Sequence, residues 1–128
     1  MAKILIAEDN AALSNVLRFH LTRVGHDVTV APNGKIALDA FQQQTFDLLI
    51  TDHQMPKMTG IELCENIRAT NNAFHGPILL LTAKRLELDI ESLVDNLDIS
   101  RVFSKPFSPT EIAAVVDELL ESSNACCD

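Results

Sequence analysis

Short apolar runs alternate five times with longer amphipathic stretches along this chain. The runs are Lys3–Ala7, Asp27–Val30, Asp47–Thr51, Pro77–Thr82 and Arg101–Ser104. Most are continuous and rich in Ile, Leu or Val, the pattern of strands covered on both faces. Asp27–Val30 is the weakest, being short and little more than half apolar. Between the runs the apolar positions fall into helical period. Leu13, Val16, Leu17, Leu21 and Val24 form the first stripe, and Ala37, Ala40 and Phe41 the second. Ile61, Cys64 and Ile67 form the third. Leu86, Ile90, Leu93, Val94 and Leu97 form the fourth, and Ile112, Val115, Val116, Leu119 and Leu120 the last.

Local signals mark where these helices begin. Ser108-Pro109-Thr110-Glu111 reads as a capping box with proline at the first helical position. Thr59-Gly60-Ile61-Glu62 is a weaker candidate of the same kind, and Asn33-Gly34 opens the second helix. No linker divides the chain, so residues 1–122 are expected to form one domain and 123–128 a short tail. Five β/α units in so few residues predict an open parallel sheet, doubly wound, with five helices on its two faces.

Composition narrows the function classes. At 128 residues, 47% hydrophobic and 22% charged, the chain suits one globular domain. Its net charge of −8 argues against direct nucleic-acid binding, which needs a cationic face. No apolar run is long enough to span a bilayer, and the first residues lack a signal-peptide pattern, so a cytoplasmic location is expected. Cys64, Cys126 and Cys127 fit neither a zinc site nor a disulfide framework. The four histidines are scattered.

In an open parallel sheet, ligands bind beyond the carboxyl ends of the strands. The first run ends in Glu8-Asp9, the third in Asp52, the fourth in Thr82 and the fifth in Lys105. Each alone has an ordinary explanation: a turn-forming or capping aspartate, a β-branched strand end, a surface lysine. Together they bring three carboxylates, a hydroxyl and an ammonium to one edge. Three gathered carboxylates repel unless a cation joins them, and a hard ion such as Mg²⁺ suits oxygen ligands. The hydroxyl and ammonium suit phosphoryl oxygens.

Four blocks then resemble a known family: Ile4-Leu5-Ile6-Ala7-Glu8-Asp9-Asn10; Leu49-Ile50-Thr51-Asp52-His53-Gln54-Met55-Pro56 with Gly60; Leu80-Leu81-Thr82-Ala83; and Phe103-Ser104-Lys105-Pro106-Phe107. In this order they are similar to the response-regulator receiver domain of two-component signalling, across essentially the whole chain. The resemblance implies a flavodoxin-like sheet of order 2-1-3-4-5. It implies Asp52 as the phosphoryl acceptor, with Asp9, Asp52 and the Gln54 carbonyl on Mg²⁺ and Glu8 acting through a water. Lys105 would pair with the carboxylate and then with the phosphoryl group. Thr82 and Phe103 would form the switch, and Lys105-Pro106 a cis peptide.

The implied partners are a sensor histidine kinase or a histidine phosphotransfer protein, and a downstream protein target. The output surface would be the fourth helix, fifth strand and fifth helix of a monomer or phosphorylation-dependent dimer. The domain would not be an enzyme beyond its own phosphorylation and dephosphorylation. Two departures from the family pattern stand out. Asp98-Ile99-Ser100 replaces the glycine-containing turn before the fifth strand, and His53, Gln54 and Lys84 occupy positions that tune dephosphorylation. A chain ending just after its fifth helix suggests a stand-alone receiver, the alternative being a domain excised from a longer regulator. A small Mg²⁺-dependent phosphohydrolase is the reading from another class. It is disfavoured because no second aspartate lies two residues after Asp52. A receiver that binds partners without phosphorylation is disfavoured by the complete acid site.

Overall fold

The computed structural model describes residues 2–53, 55, 58–70, 76–82, 99–104 and 108–127. The described elements are, in order, β1 (Lys3–Ala7), α1 (Ala11–Arg23), β2 (Asp27–Ala31), α2 (Gly34–Gln43), β3 (Leu48–Asp52), α3 (Gly60–Thr70), β4 (Ile78–Thr82), β5 (Arg101–Ser104) and α4 (Pro109–Cys127). All five strands are parallel, in the order β2-β1-β3-β4-β5. The fourth apolar stripe, Leu86 to Leu97, lies outside the described residues, so four of the five expected helices are described.

Alternation along the strands divides the core into two layers. Leu5, Leu49 and Leu80 pack with Ala37 and Phe41 of α2 and Leu63 and Ile67 of α3. Ile4, Ile50 and Leu81 point the other way, onto Leu17 and Leu21 of α1 and Ile112 and Val116 of α4. Every residue of β3 and β4 is buried, whereas β2 is mostly half-exposed at the sheet's edge. That contrast explains why the β2 run was the least apolar of the five.

The helix starts follow side-chain chemistry. Asn33 Oδ1 accepts the amide of Ile36 at 2.9 Å and opens α2. Thr59 and Glu62 form a reciprocal box: the Thr59 amide donates to Glu62 Oε1 at 3.0 Å, and the Glu62 amide to Thr59 Oγ1 at 3.2 Å. The weaker of the two sequence candidates is thus fully made. At α4 the Glu111 amide donates to Ser108 Oγ at 3.4 Å.

One expectation needs correction. The buried face of α1 is Ser14, Leu17 and Leu21, while Val16 is 41% and Val24 53% exposed. At about 100° per residue, Val16 turns away from the centre of that face. Val24 is the C-cap, where helical phase no longer applies. Phe19, also on the outer side, is 58% exposed, with the Arg23 guanidinium over its ring. At the other end of the chain, α4 runs to Cys127.

One contact joins distant parts of the chain. His26 Nδ1 accepts the Ala2 amide at 3.3 Å, so Nε2 carries the proton donated to Asp117 of α4 at 2.8 Å. The start of β1, the turn before β2 and α4 are held together there. No described helix is long and apolar enough to cross a membrane.

Candidate functional site

Strand register assembles the site. Ala7 of β1 lies opposite Thr51 of β3, so the next step along both strands brings Glu8 level with Asp52. Neighbouring parallel strands are about 4.8 Å apart. Glu8, Asp9 and Asp52 each offer a carboxylate oxygen within 4.8 Å of the others. Glu8 is 1% and Asp52 2% exposed, whereas Asp9 opens to solvent. Asp52, expected just after its strand, is its last residue and pairs with Leu81 of β4. Thr82 follows Leu81 and is fully buried at the end of the neighbouring strand.

The two buried carboxylates sit on a fixed backbone. The Glu8 amide donates to the Ala31 carbonyl at 3.0 Å, extending the ladder one residue past β1. The Asn10 amide donates to Glu8 Oε2 at 3.2 Å. Beyond Asp52, the His53 amide donates to the Leu81 carbonyl at 2.8 Å, and the His53 carbonyl accepts the Gly60 amide at 2.9 Å. The first residue of α3 is thereby tied to the end of β3. Thr51 Oγ1 donates to the Asp52 carbonyl at 3.0 Å.

Glycines allow this approach. A Cβ on Gly60 would lie against the Asp52 carbonyl oxygen and 2.9 Å from His53 Cα. One on Gly34 would lie 2.7 Å from both Cβ and the carbonyl oxygen of Met58. Met58, in the segment between β3 and α3, thus rests on the start of α2. Hydrogen bonding to the Thr59 backbone, and then to its side chain, holds the Glu62 carboxyl below its ordinary value, with a smaller pull from His53.

Lys105 and Gln54 lie outside the described residues, as does the Lys105-Pro106 bond. The expected switch pair does not share a face. Val102 pairs with Leu80 and packs in its layer, whereas Phe103 pairs with Leu81 and packs in the opposite one. Thr82, two residues beyond Leu80, continues the face of Leu80 and Val102. Phe103 therefore lies on the opposite face from Thr82, which is in register with Ser104 and shares its face with Val102.

A parallel sheet of this order with three acids beyond its carboxyl edge fits a receiver, and comparison with known proteins agrees. The model of the response regulator receiver domain matches residues 4–117. The chain belongs to that family. It is 38% identical over 121 residues to the alkaline phosphatase synthesis transcriptional regulatory protein PhoP of Bacillus subtilis, covering 94% of this chain and 49% of that protein. This receiver therefore spans about half the length of the curated relatives it matches. Among solved structures, the chemotaxis response regulator CheY4 of Vibrio cholerae superposes with a TM-score of 0.83 at 28% identity, over 93% of this chain and 98% of that one. The response regulator TrrA of Thermotoga maritima, solved in complex with Mg²⁺-BeF, gives 0.78 at 29% identity, covering 93% and 99%.

The donor set fits a hard divalent cation. Three clustered carboxylates, two of them buried, place oxygen ligands and negative charge where Mg²⁺ coordination needs them.

Proposed function

We propose that this receiver accepts a phosphoryl group on Asp52 from a histidine kinase or histidine phosphotransfer protein and signals through protein contacts. The observation that carries the reading is the buried Asp52 carboxylate at the end of a central strand, within 4.8 Å of the Glu8 and Asp9 carboxylate oxygens. A carboxylate is a competent nucleophile toward phosphorus. An Asp52 oxygen forms the new O–P bond as the donor's P–N bond breaks, and the released imidazole nitrogen keeps the electron pair and takes up a proton.

Such transfer rests mainly on in-line positioning and on neutralising the equatorial oxygens. Asp9 and Asp52 would hold Mg²⁺ with the Gln54 carbonyl, and Glu8 would act through a water. When bound, the ion supplies positive charge to the phosphoryl oxygens. Lys105 supplies a second positive charge, and the Thr82 hydroxyl a hydrogen bond to the modified group. The rigid frame around Asp52, made by the His53 and Gly60 backbone bonds, holds the carboxylate for in-line attack.

Thr82 passes the change outward. On its face of β5, Val102 comes just before Ser104, the register partner of Thr82, so coupling would run through aliphatic packing instead of an aromatic rotation. The output surface would combine the segment before β5 with β5 and α4. The test is intact-mass measurement after incubation with acetyl phosphate and Mg²⁺. One added phosphoryl group is expected, absent from Asp52→Asn and from an EDTA control. No adduct, together with no beryllofluoride binding by the folded protein, would overturn the proposal.

A further inference from the structure

Asp9 is the exposed member of the acid cluster, and its geometry depends on its neighbours. On one side, Glu8 is pinned to the sheet by the hydrogen bond its amide donates to the Ala31 carbonyl. On the other stands Asn10, whose side chain caps α1: Oδ1 accepts the Ala12 amide at 3.0 Å and the Leu13 amide at 3.3 Å. Its carbonyl accepts the first helical bond, from Ser14 at 3.0 Å. These bonds fix Asn10 in an extended conformation, φ −86° and ψ 106°, with its own amide donating to Glu8 Oε2.

We infer that Asn10 is a positioning residue for the cation pocket, orienting Glu8 through its backbone amide and Asp9 through the chain it anchors. The inference rests on the cation-dependent reading above. Asparagine suits the place because it caps a helix as well as aspartate does while adding no fourth negative charge to the cluster. Without the cap, the Asn10 amide loses its fixed direction, and the Glu8–Asp9 link is anchored at one end only. Residues that orient metal ligands typically alter metal affinity by 10–100-fold when removed.

The test is a titration of the full chain with MgCl₂, followed by the backbone amide signals of residues 8–10 and 52–53. Thermal unfolding in EDTA is recorded alongside. Asn10→Ala should raise the Mg²⁺ dissociation constant about tenfold, and Asn10→Ser, which restores a capping oxygen, should recover most of it. A cap that serves helix stability alone would lower the unfolding temperature in EDTA and leave the dissociation constant of the folded molecule unchanged. That result, or a serine variant no better than alanine, would overturn the inference. A wild-type protein showing no Mg²⁺ response would instead remove the cation-dependent reading, and the role of Asn10 with it.

Discussion

Gly60→Ala separates a helix that prefers alanine from a site that has no space for it. At an ordinary helical position this exchange stabilises by about 1 kcal/mol. Gly60 differs because a Cβ would press on the Asp52 carbonyl and lie 2.9 Å from His53 Cα and 3.0 Å from the Asp52 carbonyl carbon. These are backbone atoms of a strand end, already held by the bonds from Thr51 Oγ1 and from the Gly60 and His53 amides. No flexible side chain is available to swing aside. Overpacking of this kind costs about 1–3 kcal/mol, which exceeds the propensity gain over most of its range. A net loss of up to about 2 kcal/mol follows, or a fall of up to about 8 °C in unfolding temperature. The displaced Asp52 should also slow phosphorylation by acetyl phosphate. Gly25→Ala is the control: its φ is +99° and nothing lies within 4 Å of the added carbon. Left-handed strain should cost it about 1–2 kcal/mol with phosphorylation per folded molecule unchanged. Urea unfolding followed by circular dichroism measures the first effect, and intact mass against time the second. A Gly60→Ala protein as stable as wild type and as quickly phosphorylated would refute the close-approach argument.

Further outcomes can be checked independently. Because Glu62 is held below its ordinary value of 4.5, its contribution to stability is present above that pH and lost as pH falls through the lower folded value. The gap in urea midpoint between wild type and Glu62→Gln should therefore be open at pH 7 and narrow as the pH falls below 4.5. Burial pushes the Cys64 thiol up to about 12, so the reactive thiolate is scarce at pH 8. With Cys126 and Cys127 changed to serine, the remaining thiol should react with a disulfide reagent only as fast as the protein opens; rapid labelling would contradict its burial. His26→Ala strips a partner from the Ala2 amide and from Asp117 and should cost about 1–2 kcal/mol, read as a lower urea midpoint. In the beryllofluoride-bound protein, the Val102 methyl signals should shift more than those of the Phe103 ring. The reverse would place the coupling in the layer of α1 and α4.

What the sequence made legible, and what it did not, depends on which features are periodic. Strand positions were readable to within a residue or two, because buried parallel strands are apolar runs with sharp polar ends. The acid cluster was readable for the same reason: carboxylates that end adjacent strands must meet at one edge. The Thr59–Glu62 box was visible as residue types at fixed spacing, but Asn10 was hidden. It followed two acids that drew attention as ligands, and its capping role became clear only once the start of α1 was fixed. The outer side of α1 is not legible because Val16 and Val24 are as apolar as the residues beneath them. Composition alone cannot assign a direction around a helix whose outer face also carries Phe19. The face of Phe103 is unreadable for a related reason. A strand between two helical layers is apolar at consecutive positions, so Val102-Phe103 shows no alternation from which a face could be read. Counting back from Lys105 gives a distance along the chain but not a side of the sheet. Only the register with β4, Val102 against Leu80 and Phe103 against Leu81, assigns the faces. The strands most certain from their apolar runs are therefore the ones whose inward and outward residues are hardest to tell apart, and a switch built on such a strand must be read from its neighbour.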